Sequence, residues 1–166
     1  MTGKTALLTP NDRLLFDITD IDLDQVIATA EDLERINPQQ GDMRQLDYVI
    51  YLDEEFTKGI GVKEIRDDEF WVPGHIPGRP LFPGVLQIEA AAQLSSFVHR
   101  SHWPEDSFLG FTRVKEWSFR GQIVPGDKLV ILTNEVKGNQ RRFVTNLQGY
   151  VDQKLVFDGS ITGMKF

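Results

Sequence analysis

The chain has 166 residues, with 18 Lys and Arg against 25 Asp and Glu, a formal charge of −7, 40% apolar residues and no cysteine. That length suits one domain with a packed core, and the missing cysteines exclude disulfides, iron–sulfur clusters, thiolate zinc sites and a cysteine nucleophile. An acidic chain lacks the basic face that neutralises phosphates, so neither nucleic acid nor an anionic membrane is an expected partner. Residues 1–10 read as a frayed leader ending at Pro10. The apolar run Ala6-Leu7-Leu8 is too short for a signal peptide, and no stretch approaches the ~18 apolar residues of a spanning helix, so the expected location is the cytoplasm. Gly3-Lys4-Thr5 has the look of a phosphate-loop end but lacks the preceding strand and glycine that such a loop needs.

Leu23, Val26, Ile27, Ala30 and Leu33 fall at helical spacing, with an Asp22/Gln25 capping box before them and Asn37-Pro38 as the stop. The chain then divides: an N-terminal extension with an amphipathic helix over 1–42, and the main domain over 43–166. Strands are predicted at 48–52 and 59–65. A loop dense in Pro and Gly follows, then a helix over about 82–100 that contains Ala90-Ala91-Ala92. Strands resume at 108–119, 128–137, 142–151 and 155–165, with turns at Pro125-Gly126-Asp127, Gly138-Asn139 and Asp152-Gln153. Two strands, a buried helix and several long antiparallel strands make an α+β arrangement.

His75 stands between Pro73-Gly74 and Pro77-Gly78, in a loop whose backbone chemistry can hold one side chain in one place. Imidazole titrates near neutrality and is a competent base there. Glu89 lies on the most apolar helix of the chain with Gln93 one turn on, and a carboxyl on a buried helix face can serve as a general acid. Pro83-Gly84 opens that helix. Its first amides, at Gly84 and Val85, lack intrahelical acceptors and suit a developing oxyanion. A base, an acid and an oxyanion site together serve proton abstraction next to a carbonyl. His99 and His102, three apart near the helix end, are too few for a metal site and better placed to serve the helix dipole.

The segment Gly74-His75-Ile76-Pro77-Gly78-Arg79-Pro80-Leu81-Phe82-Pro83-Gly84-Val85-Leu86, continued by Glu89-Ala90-Ala91-Ala92-Gln93, resembles the signature of the FabZ-type 3-hydroxyacyl-[acyl-carrier-protein] dehydratases. Val124-Pro125-Gly126-Asp127 downstream, and Val62-Lys63 with Asp68-Glu69-Phe70-Trp71 upstream, fit the same pattern, so the resemblance covers roughly residues 43–166. It implies a hotdog fold, an antiparallel sheet wrapped around a central helix. It also implies a homodimer, extending to a trimer of dimers, whose sites take the histidine from one chain and the acid from the other. His75 would then be the base, Glu89 the acid, and the Gly84 and Val85 amides the oxyanion site. Ile76, Phe82 and Gln93 would line the acyl tunnel. No metal or other cofactor is implied, and the partner is an acyl carrier protein. Glu89 stands where the dehydratase/isomerase relatives have Asp, which favours dehydration without a double-bond shift. Ile76 replaces the family's aromatic, Phe82 its methionine, and its N-terminal P-H-R-x-P-F segment has no clear counterpart. The alternatives are a hydratase or thioesterase acting on acyl-coenzyme A, or a non-catalytic acyl-thioester binding protein. Arg79, Arg100, Arg113, Lys115 and Arg120 are the candidate contacts to an acidic carrier.

Overall fold

Alternating strands joined by tight turns build the sheet. Asp152 and Gln153, both at positive φ (47° and 66°), form a two-residue hairpin of the kind that matches strand twist. The computed structural model describes residues 6–104 and 107–166, and the Gly3-Lys4-Thr5 triplet lies outside the described residues. The elements are α1 (Ala30–Ile36), β1 (Tyr48–Leu52), β2 (Lys58–Glu64), α2 (Gly84–His102), β3 (Leu109–Phe119), β4 (Lys128–Asn139), β5 (Arg142–Val151) and β6 (Lys154–Lys165). The six strands form one antiparallel sheet in the order β1-β2-β4-β5-β6-β3. It wraps around α2, the arrangement that the family resemblance implies. The turn expected at Gly138-Asn139 falls two residues later, at Gln140-Arg141: β4 runs through Asn139, whose side chain accepts from the Arg141 and Arg142 amides and closes the hairpin there.

Leu129-Val130-Ile131-Leu132 is apolar without alternation, as a strand covered on both faces must be. Leu129 and Ile131 face the core around α2, with Ala90, Ala91, Leu94 and Val98. The helix approaches closely because β2 presents Gly61 where a Cβ would meet Leu46 and Leu94 at 2.9–3.0 Å. Val130 and Leu132 face the other way, joining Ile50, Ile60, Val62 and Tyr150. That outer cluster is roofed by the N-terminal segment, which buries Leu8 and Ile18 there. Two glutamine side chains grip the segment. Gln153 accepts from the Thr9 amide (2.7 Å) and donates to the Ala6 carbonyl (2.6 Å), while Gln148 accepts from Leu15 (3.0 Å) and donates to Arg13 (2.9 Å).

The helix expected from residue 23 is shorter. It starts at Ala30, behind a capping box formed by Thr29 and Asp32 rather than by Asp22 and Gln25. Ala28 instead bridges Val49 on the edge strand β1, which requires extended backbone. The periodic residues part company: Leu23 packs on the outer cluster, Leu33 lies in the inner core, Ala30 is half-buried at the helix start, and Val26 and Ile27 are exposed. The chain is passing around the sheet edge, so one helical face could not serve both sides. Among the described residues, no helix is long and apolar enough to cross a membrane.

Candidate active site

The loop joining β2 to α2 is held at close intervals. The His75 amide donates to the Trp71 carbonyl at 2.8 Å, and the half-buried imidazole places Nδ1 2.8 Å from the Leu81 carbonyl. A carbonyl only accepts, so Nδ1 is the donor in this contact, and in a neutral imidazole so bonded the lone pair lies on Nε2. The chain reverses through Ile76 (φ 57°) and Gly78 (φ 81°), with the Arg79 amide closing the turn on the Ile76 carbonyl at 2.9 Å. Left-handed backbone is ordinary for glycine and strained for a β-branched residue, so the loop around His75 is held against a local preference. Ile76 itself is exposed.

Phe82 ends the loop, its amide donating to Ile123 at 2.8 Å. Its ring is 2% exposed and packs on Trp71, so the side chain turns into the core beneath the loop. Pro83 is the N-cap of α2, and its carbonyl accepts from Leu86 and Gln87. The Gly84 and Val85 amides precede that ladder and point beyond the helix end. A Cβ at Gly84 would lie 2.8 Å from the Phe119 ring, so glycine is what allows this aromatic from β3 to lie against the first turn. Phe119 was not singled out in the sequence, where it is one apolar residue at the end of a strand.

Glu89 sits half-buried one turn further along α2. Gln93 donates to its Oε1 at 2.9 Å and to the Met43 carbonyl at 2.7 Å, while its own Oε1 accepts from the Gln45 amide at 2.8 Å. Gln93 therefore holds the Glu89 carboxylate, with both ends of its own amide bonded. Its spacing from Glu89 was legible; its partners at 43 and 45 were not. Among the described residues no hydrogen bond joins His75 to Glu89 of the same chain. An apolar cavity of about 250 Å³ runs along the same helix between Ala92, Ser96, Phe108, Leu109, Phe111 and Phe143.

The helix-end histidines have other partners. His99 pairs with Glu135 at 3.0 Å and stacks on Phe143, and His102 meets the Glu55 carbonyl at 3.0 Å. Of the basic residues, Arg120 is bound by Asp158 and Arg100 bonds Ser96 and Ser107, whereas Arg79, Arg113 and Lys115 are exposed.

A sheet wrapped on one helix, with an imidazole on the loop before it and a carboxyl five residues beyond its opening glycine, defines a hotdog-fold protein with a candidate acid–base site. The chain belongs to the FabA-like family, whose domain matches residues 37–160, and within it to the FabZ type of dehydratase. It is 35% identical over 109 residues to the 3-hydroxyacyl-[acyl-carrier-protein] dehydratase FabZ of Alkaliphilus metalliredigens, covering 63% of this chain and 72% of that one. It is 38% identical over 92 residues to the bifunctional enzyme LpxC/FabZ of Porphyromonas gingivalis, covering 54% of this chain but only 20% of that longer protein. The fold is similar to the dehydratase heterocomplex ApeI:P from Xenorhabdus doucetiae, with a TM-score of 0.70 at 17% identity over 81% of this chain and 90% of that one.

Proposed function

We propose that the protein is a hydro-lyase that converts (3R)-3-hydroxyacyl-[acyl-carrier-protein] to the trans-2-enoyl thioester in fatty acid or related biosynthesis. The observation that carries this reading is the arrangement at the start of α2: an imidazole with its Nδ1 proton committed to Leu81, two helix-terminal amides, and a carboxyl held by Gln93. His75 Nε2 takes the α-proton. The Gly84 amide, supported by Val85, stabilises the charge that develops on the thioester oxygen. The electron pair closes the double bond as Glu89 protonates the departing hydroxyl, which leaves as water. Proton exchange with solvent then returns His75 and Glu89 to their starting forms.

In this reading the acid comes from a second copy of the chain. The lack of a His75–Glu89 bond within one chain supports it. So does β3, an 11-residue edge strand paired, among the described residues, only with β6, with Phe111, Val114 and Phe119 exposed; such an edge is a template for pairing. The test is enoyl formation from 3-hydroxybutyryl- and 3-hydroxydecanoyl-carrier protein by the purified chain. His75→Ala and Glu89→Gln should each abolish turnover while the assembly stays intact. Full activity in either variant overturns the mechanism.

A further inference from the structure

Beneath the His75 loop lies a buried ion pair to which the chemistry above gives no role. Lys63, on β2, has a side chain only 1% exposed, and its Nζ is 2.9 Å from Oε2 of Glu69, itself 7% exposed. Taking two charges out of water is costly, and a pair this deep is a weak source of stability; its best-attested use is to enforce one arrangement of what surrounds it. Here the surroundings are the two feet of the catalytic loop.

The first foot is Trp71. Its indole N–H donates to the same Glu69 Oε2 at 2.9 Å, while Oε1 accepts from the Arg66 amide at 3.0 Å. Both carboxylate oxygens are therefore used, and the indole is fixed in orientation. The Trp71 carbonyl in turn accepts from the His75 amide at 2.8 Å. The second foot is Phe82. Its ring packs on Trp71 with centroids 5.5 Å apart, and the Lys63 ammonium lies 5.4 Å from its centroid, within reach of a cation–π contact. Phe82 follows Leu81, whose carbonyl orients the imidazole. One ammonium–carboxylate pair thus touches the residues on both sides of the loop: one foot sets the backbone of His75, the other its ring.

We infer that Lys63 and Glu69 are positioning residues for His75, acting through Trp71 and Phe82 to hold the imidazole where its Nε2 meets the substrate. The inference rests on the proposed role of His75 as the base, and the pair itself touches no reacting atom. The anchor fixes the Trp71 and Phe82 side chains on which the backbone bonds of the loop, with its strained Ile76, are built.

Trp71→Phe removes the indole donor and keeps a ring against Phe82; Glu69→Gln removes the charge and keeps one acceptor. Each full-length variant is measured for enoyl formation, thermal melting and the imidazole NMR signals of the ligand-free protein, with His75 assigned from His75→Ala. The expected result is a roughly tenfold fall in kcat with KM within twofold. The His75 signals should move while those of His99 and His102 stay. A merely structural pair would lower the melting temperature and leave the His75 signals unmoved. Folded Trp71→Phe protein with wild-type His75 signals overturns the inference, and this variant decides if Glu69→Gln does not fold. If the unmodified chain fails to dehydrate the carrier-bound substrate, the functional reading falls instead, and the NMR comparison still decides whether the pair holds His75.

Discussion

Gln93→Leu separates the orientation of the acid from its presence. Leucine keeps the helix propensity and much of the volume, so α2 should form as before. What disappears is one buried amide with three bonds: to Glu89, to the Met43 carbonyl and from the Gln45 amide. Gln45 is 1% exposed, so its N–H is left in the interior without an acceptor, at a cost of about 1–3 kcal/mol. For a domain of this size each kcal/mol shifts Tm by about 2–4 °C, so a mid-range loss lowers Tm by about 4–8 °C. Glu89 meanwhile loses the donor that orients it, and misplacing a catalytic group by about 1 Å can cost a hundredfold in rate. The expected result at 25 °C, where the variant remains folded, is a 10- to 100-fold fall in kcat with KM nearly unchanged. Thermal melting and enoyl formation on one preparation check both numbers. A variant that melts lower yet turns over at the wild-type rate refutes the claim that Gln93 orients the acid.

Deleting residues 1–24 should uncover Ile50, Ile60, Val62, Val130 and Leu132 and remove the burial of Leu8 and Ile18, worth about 1.5–3 kcal/mol each. A lower Tm and new binding of a hydrophobic dye are expected; an unchanged melting curve refutes the roof. Asp47 supplies the pH dependence. Burial opposes its ionisation, but the Glu64 amide, the Lys63 and Arg66 charges and the Arg44 bond outweigh burial and hold the carboxyl below its ordinary 3.8. A depressed carboxyl contributes stability above its unfolded pKa and loses it as pH falls through the folded value. The wild-type urea midpoint should therefore fall more steeply below about pH 4 than that of Asp47→Asn, and parallel curves would refute the assignment.

The loop and helix of the proposed site were legible because their chemistry is local. His75, Gly84 and Glu89 lie within 15 residues, in a segment whose prolines and glycine dictate its backbone, and the strands alternate or run apolar according to the faces they bury. The N-terminal stretch misled for a physical reason. A helical period is also produced by residues divided between two faces of a sheet, and only the Ala28–Val49 bridge separates the two cases.

The sequence by itself determined the α+β class, the family, the long central helix and the three groups of the proposed acid–base site, since each follows from a contiguous run of residues. Tertiary structure alone decided what holds those groups in place. Met43 and Gln45 reach Gln93 across about 50 residues, Phe119 lies against Gly84, and Ile123 ties down Phe82. It also set Phe82 against Trp71 and bonded Gln93 to Glu89. Hydrogen bonds and ring contacts between distant segments depend on register and on the path of the sheet around the helix, which no local pattern records.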